Sequence, residues 1–141
     1  MLLQSLSYHF EKLQLLNFAK NKIGRDGAKI LSLSLHTMKS LHTLNVSQNS
    51  IGDYGAIDVI RAVNQYLNLK HLNLNGNSIG QTSLGVEAMD CMRDLLFATK
   101  TLETLDLSWN NIRGRQGLSL AEGLVDNASL KKINLSQNLL G

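Results

Sequence analysis

The sequence predicts an α/β fold in which short parallel strands and helices alternate along a curved, right-handed β/α superhelix. Three observations support this prediction. A unit containing leucine and asparagine recurs along the chain at a nearly constant interval. Leucine accounts for 28 of the 141 residues and aromatic residues for only 5%, so the core must use aliphatic side chains of similar shape. Proline is absent, which suits a chain with few irregular connections.

The recurring unit reads Leu-x-x-Leu-x-Leu-x-x-Asn-x-Ile, with exchanges among aliphatic residues. It occurs five times, at residues 13–24, 41–52, 69–80, 102–113 and 130–141. Its asparagines are separated by 28, 28, 33 and 28 residues; they are Asn21, Asn49, Asn77, Asn110 and Asn138. A fixed period of this length is typical of a protein built from stacked supersecondary units.

The central part of each unit predicts a short strand. Apolar residues at positions i and i+2 fall on one face of a strand, as Leu44 and Val46 do in the second unit. The strand cores are predicted near residues 15–19, 43–47, 71–75, 104–108 and 132–136. The following asparagine lies where the chain bends, and its amide is expected to satisfy backbone groups of the bend and of the neighbouring repeat. Stacked repeats would then carry a ladder of asparagines.

Each asparagine is followed by a turn that contains glycine and then by a predicted helix. Apolar residues in these segments recur at the three- and four-residue spacings of one buried stripe. The stripe residues are Ala56, Ile57, Ile60 and Val63 within residues 54–66, and Leu118, Ala121 and Leu124 within residues 117–126. Residues 2–15 are predicted to form a helix that closes a preceding repeat.

The third unit carries five extra residues within residues 81–100. They are expected to lengthen the outer helix or the turn before it and to leave the strands in register. Paired parallel strands lie about 4.8 Å apart, whereas packed helices need about 8–10 Å. The stack should therefore curve, with strands on the concave face and helices on the convex face. Residues 1–141 are expected to form one such domain. No polar cap is evident after Gly141, which predicts membership of a longer array.

Charge and cysteine content narrow the class of protein. The chain has 14 basic and 11 acidic residues and a net charge of +3, which is too weak and scattered to indicate binding to nucleic acid or a membrane. Cys91 is the single cysteine, so no intramolecular disulfide can form. The first ten residues do not resemble a secretory signal, and we predict a cytoplasmic location.

These units resemble leucine-rich repeats, and the 28-residue period with a glycine–alanine helix start is similar to that of the ribonuclease-inhibitor-like, intracellular class. The resemblance extends from about Leu13 to Gly141. It implies a protein-interaction module or scaffold. Other members of the class imply two alternatives, a GTPase-activating protein resembling the Ran activator and the ligand-sensing arm of a NOD-like receptor.

Residues between the buried strand positions are expected to point out of the concave face. Trp109, the only tryptophan, follows the fourth strand; its equivalents in the other repeats are Lys20, Gln48, Gly76 and Gln137. The residues predicted to bind a protein are Trp109, Asp106, Asn73, Asn134, His71, Thr104 and Asn45. Two simpler interpretations stay open. In the first, the column that contains Asn45 and Asn73 and the column that contains Ser47 and Ser108 serve only to solvate the sheet. In the second, Trp109 folds over Gly76.

The sequence offers no set of residues for catalysis or metal binding. His42 and His71 lie on neighbouring predicted strands, but no cysteine or carboxylate is placed to complete a zinc site. Asp106 is accompanied by no nucleophile–base pair, and the glycines mark repeat turns. We therefore predict no enzyme activity, no cofactor and no metal. The predicted partner is another protein, and the pattern argues against nucleic acid, membranes and small molecules.

Overall fold

The computed structural model describes residues 10–141, in which strands and helices alternate strictly. The strands are β1 (Leu15–Asn17), β2 (Thr43–Asn45), β3 (His71–Asn73), β4 (Thr104–Asp106) and β5 (Lys132–Asn134). The helices are α1 (Gly24–Ser34), α2 (Gly52–Tyr66), α3 (Gly85–Ala98) and α4 (Gly114–Val125). A 3₁₀ turn, Leu35–Thr37, follows α1.

The strands form one parallel sheet in the order β1-β2-β3-β4-β5. The register places the same repeat position side by side in all five strands; the central row is Leu16, Leu44, Leu72, Leu105 and Ile133. Neighbouring helices pack against one another behind the sheet. The predicted α/β solenoid is therefore confirmed. Each strand begins at the first residue of its predicted core. It ends two residues before the predicted end, because the side chain of its last residue accepts a backbone N–H and closes a turn there.

The core lies between the sheet and the helices. Leu44 and Val46 are fully buried, as predicted, and so are the stripe residues of α2. The stripe predicted for α4 is wrong in part, since Leu118 is 65% exposed and Ala121 is also exposed. Helix α4 instead buries Gln116, Ser119, Leu120 and Gly123. Gly123 permits a close approach, because a Cβ there would lie only 2.9 Å from the Arg93 Cα.

The predicted asparagine ladder is present, and it joins each repeat to the one before it. The Asn77 side-chain oxygen accepts the Asn49 backbone N–H at 3.0 Å. Its amide nitrogen donates to the carbonyl of Val46 in the preceding repeat at 3.0 Å and to that of Leu74 at 3.1 Å. Asn49 and Asn110 make equivalent bonds. One side chain therefore satisfies buried backbone groups in two repeats.

The five extra residues lengthen the turn before α3. Helix α3 begins eight residues after Asn77, whereas α2 begins three residues after Asn49. The helix itself gains nothing, since α3 has 14 residues and α2 has 15. The strands stay in register across the insertion, with Leu72 beside Leu105.

A buried carboxylate holds the inserted turn. Asp53, 2% exposed, accepts the Gly80 N–H at 2.6 Å and both the N–H and the hydroxyl of Thr82 at 2.8 and 2.7 Å. Gln116 holds the other side, donating to the Gly80 carbonyl at 3.2 Å. Gly80 has a φ of +94° and faces the Asn111 carbonyl, so a side chain does not fit there. The repeat pattern does not reveal the burial of Asp53; the only signal in the sequence is its position one repeat before the insertion.

The helix predicted for residues 2–15 falls partly outside the described residues, which begin at Phe10. The described part contradicts the prediction, because residues 11–12 form a turn and Leu15 starts β1. Pairing with β2 fixes this segment as a strand, because Leu15, Leu16 and Asn17 lie in register with Thr43–Asn45.

Replacing Asn77 by alanine should lower the free energy of unfolding by at least about 3 kcal/mol, because several buried backbone groups lose their partners together. Asn21→Ala is the matched control at an exposed rung and should cost about 1 kcal/mol or less. Urea unfolding followed by circular dichroism measures both. Equal losses would mean that burial does not set the strength of the ladder.

Asp53→Ala should lower the free energy of unfolding by about 2–4 kcal/mol, because two backbone N–H groups of the inserted turn lose a charged acceptor. Hydrogen exchange should accelerate at the amides of Gly80 and Thr82. Asp58→Ala, on the same helix but with no side-chain hydrogen bond within residues 10–141, should leave stability and exchange almost unchanged. Slow exchange of both amides in Asp53→Ala would contradict the assigned role.

Candidate functional site

The sheet register brings one polar column together on the concave face. Four asparagines and one aspartate occupy it; they are Asn17, Asn45, Asn73, Asp106 and Asn134. In every case the side-chain Oδ1 accepts the backbone N–H of the residue two positions further on, at 2.9–3.1 Å. This turn ends each strand, so the column has a structural role that any asparagine or aspartate can fill.

The amide nitrogens of these asparagines take no part in the turns. Within residues 10–141, the Nδ2 groups of Asn45, Asn73 and Asn134 have no protein acceptor. A row of hydrogen-bond donors is therefore left on the concave face, spaced at about the 4.8 Å interval of paired strands.

A groove of about 330 Å³ runs along this face. Six of the seven predicted binding residues line it, namely Asn45, His71, Asn73, Thr104, Asp106 and Asn134. Lys132 also lines the groove. His71 is held in place by its Nδ1, which lies 2.8 Å from the Thr104 hydroxyl across the β3–β4 pair. The seventh predicted residue, Trp109, is not part of the lining and lies three residues beyond Asp106.

Asp106 differs from its column neighbours in charge. Its Oδ1 accepts the N–H of Ser108 at 2.9 Å and the Ser108 hydroxyl at 2.5 Å. Within residues 10–141, no hydrogen bond reaches the Asp106 Oδ2 and no ion pair includes Asp106. The groove therefore contains one carboxylate oxygen that has no partner in the described part of the chain.

Trp109 is 65% exposed, so it does not pack down over Gly76. The atom nearest to a Cβ built at Gly76 is Cγ of Gln48, at 3.1 Å. Trp109 has a φ of +54°, and all its repeat equivalents also have positive φ; they are Lys20, Gln48, Gly76 and Gln137. This left-handed conformation costs a residue other than glycine about 1–2 kcal/mol. Neither packing nor backbone conformation explains a tryptophan at this position.

The predicted outward column of serines is wrong for two of its members. Ser47 and Ser108 are 7% and 2% exposed. The chain has already turned inward at this position, because the asparagine or aspartate two residues earlier binds the serine N–H. Ser108 instead joins two repeats, since Asn75 donates to its hydroxyl at 2.7 Å.

The convex face carries charged residues and the buried Cys91. Burial raises the pKa of the Cys91 thiol, and the nearby Arg61 guanidinium opposes this effect. Arg61 also pairs with Glu87 at 2.9 Å. A smaller cavity of about 130 Å³ lies between the ends of α2 and α3. Cys91 is 8% exposed and is one of the packed residues of α3.

Residues 10–141 contain no candidate metal-binding cluster and no helix that could span a membrane. No three or more histidine, cysteine, aspartate or glutamate side chains in this range are grouped so that they could hold a metal ion. No helix in it is both long enough and apolar enough to cross a membrane.

Comparison with protein families identifies the repeats. A leucine-rich repeat model matches residues 37–59 and 100–121, and a second leucine-rich repeat model matches residues 68–89. The chain is therefore a leucine-rich repeat protein. No curated protein sequence gives a significant match.

Trp109→Gly should change the free energy of unfolding by no more than about 1 kcal/mol, because glycine relieves the left-handed conformation while little packing is lost. Leu107→Ala, at a fully buried position two residues away, should cost about 3 kcal/mol. Urea unfolding followed by circular dichroism compares them. If Trp109→Gly costs as much as Leu107→Ala, then Trp109 is a packing residue.

Proposed function

We propose that this leucine-rich repeat protein is a non-catalytic interaction module of the ribonuclease-inhibitor-like class, which binds another protein on its concave face. The proposal treats residues 1–141 as one solenoid domain and includes a cytoplasmic location. The class assignment is supported by the 28-residue period and by the helix that follows the first four strands.

The groove on the concave face is the observation that supports protein binding most strongly. Its walls are strands tied together by backbone hydrogen bonds and by the asparagine ladder, so its polar groups are held before a partner arrives. The groove offers hydrogen-bonding groups from the asparagine amides and His71. It also offers a negative charge from Asp106 and a positive charge from Lys132. Such a preorganised surface binds with little loss of conformational entropy.

The exposed indole of Trp109, three residues after Asp106, adds an apolar group to this surface. Tryptophan is enriched among the residues that contribute most to protein interfaces. The exposed indole and the left-handed backbone of Trp109 both carry a free-energy cost in the unbound protein. Contact with a partner would offset this cost, as expected for a binding residue.

The two alternatives from the class resemblance stay predictions. The Ran-activator-like alternative predicts faster GTP hydrolysis by a small GTPase in multiple-turnover assays. The sensing-arm alternative predicts a nucleotide-binding module in the same gene product. No feature of residues 10–141 favours either over a binding module.

Blocking the groove should abolish partner binding. Thr43 lines the groove and makes no side-chain hydrogen bond within residues 10–141, so Thr43→Arg should obstruct it without breaking a turn. Gln65→Arg, at an exposed position on α2, adds the same charge to the convex face. Proteins retained from a cell extract by the immobilised chain are identified by mass spectrometry for all three forms.

We expect at least one protein to be retained by the wild type and by Gln65→Arg and lost from Thr43→Arg. Circular dichroism checks that both variants fold. The proposal fails if Thr43→Arg retains the same proteins as the wild type, or if the wild type retains nothing beyond what a heat-unfolded sample retains.

A further inference from the structure

Asp106 occupies a position at which its charge is not needed for folding. In the four other repeats an asparagine Oδ1 accepts the equivalent backbone N–H at 2.9–3.1 Å. Asparagine at residue 106 would therefore complete the turn equally well. Aspartate differs from asparagine here only in its second terminal atom. The charged acceptor Oδ2 takes the place of the donor Nδ2.

The surroundings of that oxygen favour a cationic donor. Asp106 lies between Asn73 and Asn134 in the column, so the flanking groups are N–H donors that cannot accept from a ligand. Lys132 is exposed and forms no ion pair within residues 10–141. The carboxylate thus stays available in the groove as the single strong acceptor of the column.

Trp109 supplies the second half of the site. Three residues of chain span at most about 10–11 Å, so the Cα atoms of Asp106 and Trp109 are separated by no more than this distance. It is the most exposed aromatic side chain among the described residues, and its repeat equivalents are polar residues or glycine. A planar cation stacks on an indole face, and a planar guanidinium also matches a carboxylate with two parallel N–H groups.

We propose that Asp106 and Trp109 together recognise an arginine side chain of the partner protein. This inference rests on the proposed concave-face function and names the chemistry that the partner must present. Arginine fits better than lysine because it alone combines a donor fork with a flat surface that stacks on an aromatic ring. Lys132, near the same end of the groove, disfavours a second basic residue beside the arginine.

The test uses peptides selected from a random dodecapeptide library on the immobilised wild-type chain. Selected peptides that Thr43→Arg does not bind are taken as groove ligands and should contain arginine. Replacing that arginine by citrulline, which keeps its shape and removes its charge, should weaken binding to the wild type at least about tenfold. Lysine at the same position should weaken it about fivefold or more.

The repeat supplies matched variants. Asp106→Asn and Trp109→Gln each install the residue found in sibling repeats, so both should fold normally. Against either variant the difference between the arginine and citrulline peptides should fall to about twofold or less. Asp106→Asn combined with Asn134→Asp moves the carboxylate one strand without changing net charge, and it should not restore the difference. Trp109, as the only tryptophan, also reports binding through its fluorescence.

Groove ligands without arginine, or an arginine-to-citrulline loss that persists in Asp106→Asn, would overturn the arginine site while leaving the concave-face function intact. Restoration of the difference by the relocated carboxylate would also overturn it, since position would then not matter. Failure to obtain any ligand sensitive to Thr43→Arg would contradict the proposed function itself.

Discussion

The bend after each strand imposes the constraint on which the rest of this structure depends. There the backbone turns away from the sheet while still buried, so its N–H and carbonyl groups have no water to bind. The asparagine of one repeat satisfies groups in its own bend and in the preceding one, as Asn77 does for Asn49 and Val46. The first N–H of α1 likewise donates to the Asn49 carbonyl at 3.0 Å. A repeat is therefore satisfied only within a stack, and the strand register follows from this.

The same constraint separates residues that the fold requires from residues that are free to vary. Positions in the ladder keep their asparagine in all five units, whereas positions on the concave face need only part of a side chain. The column that contains Asp106 needs one oxygen for a turn, and the column that contains Trp109 needs only a backbone that tolerates positive φ. Residues in these two columns can therefore change with little effect on stability.

The expanded third repeat shows how the stack accepts extra chain. The added residues lie in the turn before α3, where the backbone is no longer paired in the sheet. A dedicated carboxylate, Asp53, and the amide of Gln116 satisfy the polar groups that the longer turn buries. Neighbouring repeats supply both side chains, so an irregularity in one repeat is stabilised by the repeats on either side.

The amino-acid sequence by itself determined the class of fold, the start of each strand, the asparagine ladder and six residues that share the concave groove. A strict period specifies these features, because every repeat must meet the same neighbours. Only the tertiary structure decided the features that depend on contacts between unlike repeats. These are the burial of Asp53, the inward turn of Ser47 and Ser108, the face that α4 buries and the exposure of Trp109. The burial of a side chain depends on contacts with the neighbouring repeat, and the sequence pattern within one repeat does not specify those contacts.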